Sequence, residues 1–164
     1  IFGAFTGQRP DATIGRIKAG QFEEALKFRS REPTIHVSAD HDKIRMAHYV
    51  PLHPRVIEAV EPLLDGKKSN EIMFPLSALN QWLWRSREAG NEISLSRCGA
   101  YFVFSDLRKF TEQHGDVIGW DSSNRAYILT HGVSGVSRSN YRHPLPENIH
   151  DIYMKYWKNV DFAI

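Results

Sequence analysis

A single cysteine, Cys98, is all that 164 residues contain, which excludes an internal disulfide and a cysteine-built zinc cluster. Long apolar runs are missing too: none approaches the ~20 residues that a membrane-spanning helix needs. Charge of one sign is equally scarce. Lys plus Arg number 21 against 19 Asp plus Glu, a formal net charge of +2, so the chain is neither a disordered polyelectrolyte nor a histone-like polycation. Internal repeats and low-complexity segments are absent. What is there is 41% hydrophobic and 12% aromatic, the make-up of a globular chain long enough for one core. An intracellular domain without a membrane partner is the expectation. The chain starts at Ile1 rather than Met, and Ile1–Phe5 reads as the end of an apolar helix. We therefore expect one domain over residues 1–164 that lacks its N-terminal beginning.

Periodicity divides the chain into short helices around one hairpin. Pro10 suits a first helical turn, and a short helix through Ile14 and Ile17 is expected to end near Gly20. Gln21–Lys27 fits a helix or an irregular segment. Thr34–Val37 alternates as a strand and Met46–Leu52 alternates more weakly, with the turn chemistry of Asp40–Lys43 between them. Pro54 opens a helix with Val56, Ile57, Val60, Leu63 and Leu64 on one stripe, halted at Asp65–Gly66. A helix over Leu76–Arg87 turns Leu79, Trp82 and Leu83 inward, with core packing expected for its tryptophans. Ser105–Asp106 caps a helix with Leu107 and Phe110, and Ser122–Ser123 caps another that stops at His131–Gly132. After a helical or loop segment over Ser134–Tyr141, a last helix runs from Glu147 to Val160 with Ile149, Tyr153 and Trp157 in its apolar stripe. The fold class is α+β, mainly helical, with a small antiparallel β-sheet.

Four segments carry reactive polar groups. They are the turn Thr6–Gly7–Gln8–Arg9; Lys43, shortly before Val50–Pro51–Leu52; Asp106–Leu107–Arg108–Lys109 at a helix start; and Leu129–Thr130–His131–Gly132, followed by Tyr141. Together, in the order arginine, lysine, arginine, histidine, tyrosine, they resemble the catalytic domain of the tyrosine recombinases, the phage-integrase family, over nearly the whole chain. Each motif alone is weak, and their order and spacing carry the resemblance.

The residue types suit metal-free cleavage of a DNA strand. A phenol can attack phosphorus and hold the strand as a phosphotyrosyl ester. Two guanidiniums can grip the non-bridging oxygens, a lysine can protonate the departing 5′ oxygen, and a histidine can bond the phosphate or handle the phenol's proton. The resemblance implies Arg9, Lys43, Arg108, His131 and Tyr141 as catalytic residues, with no metal and no cofactor. Arg45 competes with Lys43, and Tyr127, Tyr153 and Tyr156 compete with Tyr141, although the last two lie on an apolar stripe. Two positions depart from the family. Ser105 stands where a histidine usually precedes the second arginine, and serine is no comparable base. Ala12 stands where a glutamate usually orients the first arginine, with Asp11 as a shorter substitute. Lys109 is a further phosphate contact.

The resemblance further implies double-stranded DNA as partner, a homo-oligomer forming a tetrameric synapse, a missing N-terminal DNA-binding domain, and a cytoplasmic or nucleoid-associated setting. The activity implied is site-specific recombination or integration through a 3′-phosphotyrosyl intermediate, with a mobile element or virus as source. A catalytically impaired DNA-binding relative and a type IB topoisomerase-like enzyme are the alternatives. Four histidines around the hairpin, His36, His41, His48 and His53, match no zinc spacing. Arg29–Ser30–Arg31 and Lys67–Lys68 are phosphate contacts or solvated surface.

Overall fold

The computed structural model describes residues 1–27, 32–88, 103–131 and 145–161. Tyr141, Cys98, the basic Arg29–Ser30–Arg31 and the expected segment over Ser134–Tyr141 lie outside the described residues. Seven α-helices and one two-stranded sheet are present among those described: α1 (Phe2–Thr6), α2 (Ala19–Lys27), β1 (Thr34–Val37), β2 (His48–Pro51), α3 (Pro54–Val60), α4 (Leu76–Glu88), α5 (Asp106–Val117), α6 (Ser122–Ile128) and α7 (Pro146–Trp157). The mainly helical reading with a small antiparallel sheet therefore holds. None of these helices is long and apolar enough to cross a membrane.

The strands pair antiparallel with Ile35 opposite Val50 and Val37 opposite His48. These four side chains are buried, so they form the inward face. His36 and Tyr49 pair on the other face, with ring centroids 5.2 Å apart. Helices α6 and α7 pack on β2, α2 packs on β1, and α5 packs on α1. An aromatic knot holds this arrangement: Trp157 stacks on Tyr153 at 5.5 Å and meets Trp120 edge-on at 5.3 Å. The Tyr153 hydroxyl, fully buried, donates to the Phe5 carbonyl at 2.9 Å and so fastens α7 to α1.

His53 caps α3. Its Nδ1 accepts from the Arg55 amide at 3.2 Å and its Nε2 donates to the Trp157 carbonyl at 3.1 Å, an arrangement open only to the neutral ring. Burial accordingly lowers its pKa.

Several expectations need correction. Residues after Pro10 form turns and a 3₁₀ turn over Ile14–Arg16, Ile17 is extended, and Gly20 lies inside α2 rather than ending a helix. The reason is tertiary: Ala19 donates to Glu71 and Met73 to Ile17, pinning this stretch to a distant segment. Trp82 is not inward. It is 53% exposed and Trp84 58%; among the described side chains of α4, Leu83 is the buried one. Asp121, not Ser122 or Ser123, caps α6, its carboxylate accepting from the Asn124 amide at 2.7 Å. The last helix starts at Pro146 and ends at Trp157, short of Val160.

Candidate active site

The first arginine owes its position to a glycine. Helix α1 ends at Gly7, which turns the chain with φ of 62°, and there is no room for a side chain there. Gln8 then plugs inward, its Nε2 donating to the Ile128 carbonyl at 2.8 Å and its Oε1 facing His48 Nε2 at 3.2 Å. Arg9, next along, is half-buried, and its Nε has no hydrogen-bond partner among the described residues. Thr13 Oγ1 donates to the His41 carbonyl at 3.0 Å and ties this segment to the connection between β1 and β2.

The second arginine is woven into the fold. Arg108, in the first turn of α5, is only 9% exposed. One terminal nitrogen donates to the Gly7 carbonyl at 3.0 Å, the other to the Leu129 carbonyl, and Nε lies 3.5 Å from Glu112 Oε1. These contacts hold the guanidinium on three sides, at the Gly7 turn, the Leu129 carbonyl and Glu112. Burial, and then the neighbouring charge of Arg9, lower the Arg108 pKa to about 10, with Glu112 and Asp42 acting the other way. Arg9 and Arg108, separated by more than half the chain, are thus close enough for the charge of one to act on the other, and the Gly7 carbonyl bond holds Arg108 at the turn that carries Arg9.

His131 joins them through Glu112. Its Nε2 donates to Glu112 Oε1 at 2.6 Å, and since a carboxylate only accepts, Nε2 carries a proton. Both side chains line a cavity of about 320 Å³ with Asp116 and Arg125. Just before His131, Thr130 adopts φ of 49°, a strained conformation for a β-branched residue. Its hydroxyl donates to Asp42 Oδ1 at 2.8 Å. Asp42 is 4% exposed, and its Oδ2 also accepts from the amides of Ile44 and Met46, at 3.1 and 3.2 Å. Lys43 sits inside that small loop, exposed, in no ion pair among the described residues. Its competitor Arg45 is engaged, 3.3 Å from Asp40.

The supporting residues fare differently. Lys109 pairs with Asp106 at 2.9 Å, which lowers the Asp106 pKa. Ser105 precedes α5 without a side-chain capping bond. With the exposed Asp11, it lines a groove of about 910 Å³ that also includes Trp84. No ion pair joins Asp11 to Arg9 among the described residues. Two rival tyrosines are committed elsewhere: Tyr153 to Phe5, and Tyr127, whose hydroxyl accepts from the Tyr49 amide at 3.1 Å.

Sequence reasoning passed over Asp42, Glu112 and Thr130. Glu112 had a signal, its spacing one helical turn after Arg108. Asp42 had only the general turn-forming habit of aspartate. Among the described residues, no group of three or more His, Cys, Asp or Glu side chains stands ready to hold a metal ion. No protein-family model, curated protein or solved structure matches this chain.

Proposed function

We propose that this chain is a DNA strand-cleaving and rejoining domain of tyrosine-recombinase type, acting on double-stranded DNA through a 3′-phosphotyrosyl intermediate. The observation that carries the reading is that Arg108 bonds to the turn carrying Arg9, whose Nε has no partner among the described residues, and reaches His131 through Glu112. A phosphodiester there relieves the repulsion between two guanidiniums, and relief grows as negative charge builds on the non-bridging oxygens. In this mechanism the Tyr141 oxygen bonds to phosphorus as the bond to the 5′ oxygen breaks. Lys43 gives that oxygen its proton, and His131 bonds the phosphate or takes the phenolic proton. Assembly as a homo-oligomer on DNA, and a role in integration or excision, belong to the same proposal.

A second reading, a DNA-binding relative without chemistry, is favoured by Ser105, which leaves no imidazole beside Arg108 on that side. One experiment separates the two. The chain is incubated with a pool of nicked duplexes of randomised sequence, and protein covalently joined to DNA is recovered and mapped. We expect an adduct on Tyr141 that is lost in Tyr141→Phe while DNA binding persists. Binding without any adduct establishes the second reading, and an adduct in Tyr141→Phe removes this tyrosine from the mechanism.

A further inference from the structure

We propose that Asp42 is a positioning residue for strand cleavage: it locks the Lys43 loop onto the Thr130–His131 junction, so that the lysine is presented to the leaving oxygen. This inference rests on the reading above and concerns one step of it, protonation of the 5′ oxygen.

The case starts from cost. A carboxylate at 4% exposure loses nearly all its water, and such a group persists only where bonds replace it. Asp42 has three: the Ile44 and Met46 amides on Oδ2 and the Thr130 hydroxyl on Oδ1. The first two fold residues 42–46 into a closed loop with Lys43 at its outer side. The third reaches 88 positions along the chain, to the strained residue between Leu129, whose carbonyl takes Arg108, and His131. Backbone strain of this kind survives where neighbouring bonds over-determine it, and it concentrates at functional sites. Asp42 also counters the crowding of positive charge, since its field acts on Arg108 against that of Arg9. One side chain therefore links the lysine loop, the histidine junction and the buried arginine. The three bonds take up three of the roughly four lone-pair positions of the Asp42 carboxylate. Its effect is exerted through Lys43.

A leaving group that needs no acid provides the test. The duplex recovered in the adduct selection is synthesised twice, once unmodified and once with sulfur in place of the 5′-bridging oxygen at the cleaved phosphate. A thiolate departs without protonation because its conjugate acid is far stronger than an alcohol. Cleavage rates on the two duplexes are compared as a ratio within each variant, so the fraction of folded protein cancels. Lys43→Ala and Asp42→Ala are expected to slow the oxygen duplex by about 10²–10⁴-fold and to raise the sulfur-to-oxygen ratio by at least ~100-fold. Arg108→Ala is expected to leave the ratio at the wild-type value, since both substrates need the phosphate held. Asp42→Asn should stay within ~10-fold of wild type, because its one carbonyl oxygen still serves both amides and its NH₂ faces the Thr130 hydroxyl.

A wild-type ratio in Asp42→Ala, with a raised ratio in Lys43→Ala, overturns the inference and leaves the proposed function standing. Asp42→Asn behaving like Asp42→Ala also overturns it, since the missing feature would then be charge and not the locking bonds. An unchanged ratio in Lys43→Ala removes the lysine as acid and Asp42's role with it. Absence of any wild-type adduct overturns the reading and the inference together.

Discussion

At Gly7 a Cβ would meet Leu129 Cδ2 at 2.3 Å and Thr111 Cβ at 3.2 Å, and φ of 62° is itself unfavourable to any L side chain. Both the strain and the overpacking act together, so Gly7→Ala is expected to lower stability by about 2–5 kcal/mol. Because the Gly7 carbonyl also takes an Arg108 N–H, the same change should cut adduct formation more than the loss of folded protein explains. Urea denaturation alongside adduct yield per folded molecule checks both halves, and a stability equal to wild type would show that the turn tolerates a side chain. The Gly-x-Arg turn was legible in the sequence because only its residue types and local geometry matter. Glu112 and Asp42 were not. The one-turn spacing of Glu112 from Arg108 is a local signal for that pair alone; the bonds to His131 and Thr130, 19 and 88 positions away, are encoded by no local pattern.

Elements show the same division. The two strands, and helices α3, α5 and α7, follow from period and from start signals such as Pro54, which fixes φ and forgoes an amide that a first turn does not use; Pro146, read as a break, opens α7 in the same way. The stretch from Pro10 to Gly20 misled because local turns satisfy its first half, while Ile17, Ala19 and Gly20 bond to Met73, Glu71 and Ser69 across the fold. Trp82 misled because period set it beside Leu83 on the inward face, and the two tryptophans, on opposite sides of α4, were expected to leave at most one exposed; both are exposed, with Leu83 buried between them. The junction after α6 offers a test at this scale. Thr130 is 2% exposed and strained, and its hydroxyl bond to Asp42 is the compensation in view. Thr130→Val keeps the shape and the strain but removes the donor, and should cost about 1–3 kcal/mol. Thr130→Gly removes the strain with the donor and should be the milder change of the two. Chemical denaturation of both variants decides it, and the reverse order would discount the strain.

Across the whole molecule, stability should depend on pH through three buried histidines. Burial lowers the pKa of His48, His53 and His150. At His48 the Met46 carbonyl, 3.1 Å from Nδ1, and the charge of Asp42 favour the proton, a partial compensation that desolvation outweighs. Below the ordinary histidine value near 6.5 the unfolded chain takes up protons that the folded chain resists, so stability is present above that pH and falls beneath it. Each histidine adds a limiting slope of ~1.4 kcal/mol per pH unit. Urea midpoints should therefore drop between about pH 7 and about pH 5, and His53 should show it locally, since its protonation strips the cap from α3. Equal midpoints at those two pH values would mean that the histidines ionise without unfolding the chain. The mainly helical class was legible because composition and period report a whole-chain average. The pH response was not, because four histidines near a hairpin look alike until the fold buries two of them.

Arg108 spends two donors on the carbonyls of Gly7 and Leu129 and pairs with Glu112, while the Arg9 Nε has no partner among the described residues. The two arginines are therefore unequal witnesses. A variant without the proposed chemistry would still need Arg108 to close its fold, and would be free to let Arg9 drift. Under that proposal, a change at Arg9 reports on the chemistry and a change at Arg108 on the fold.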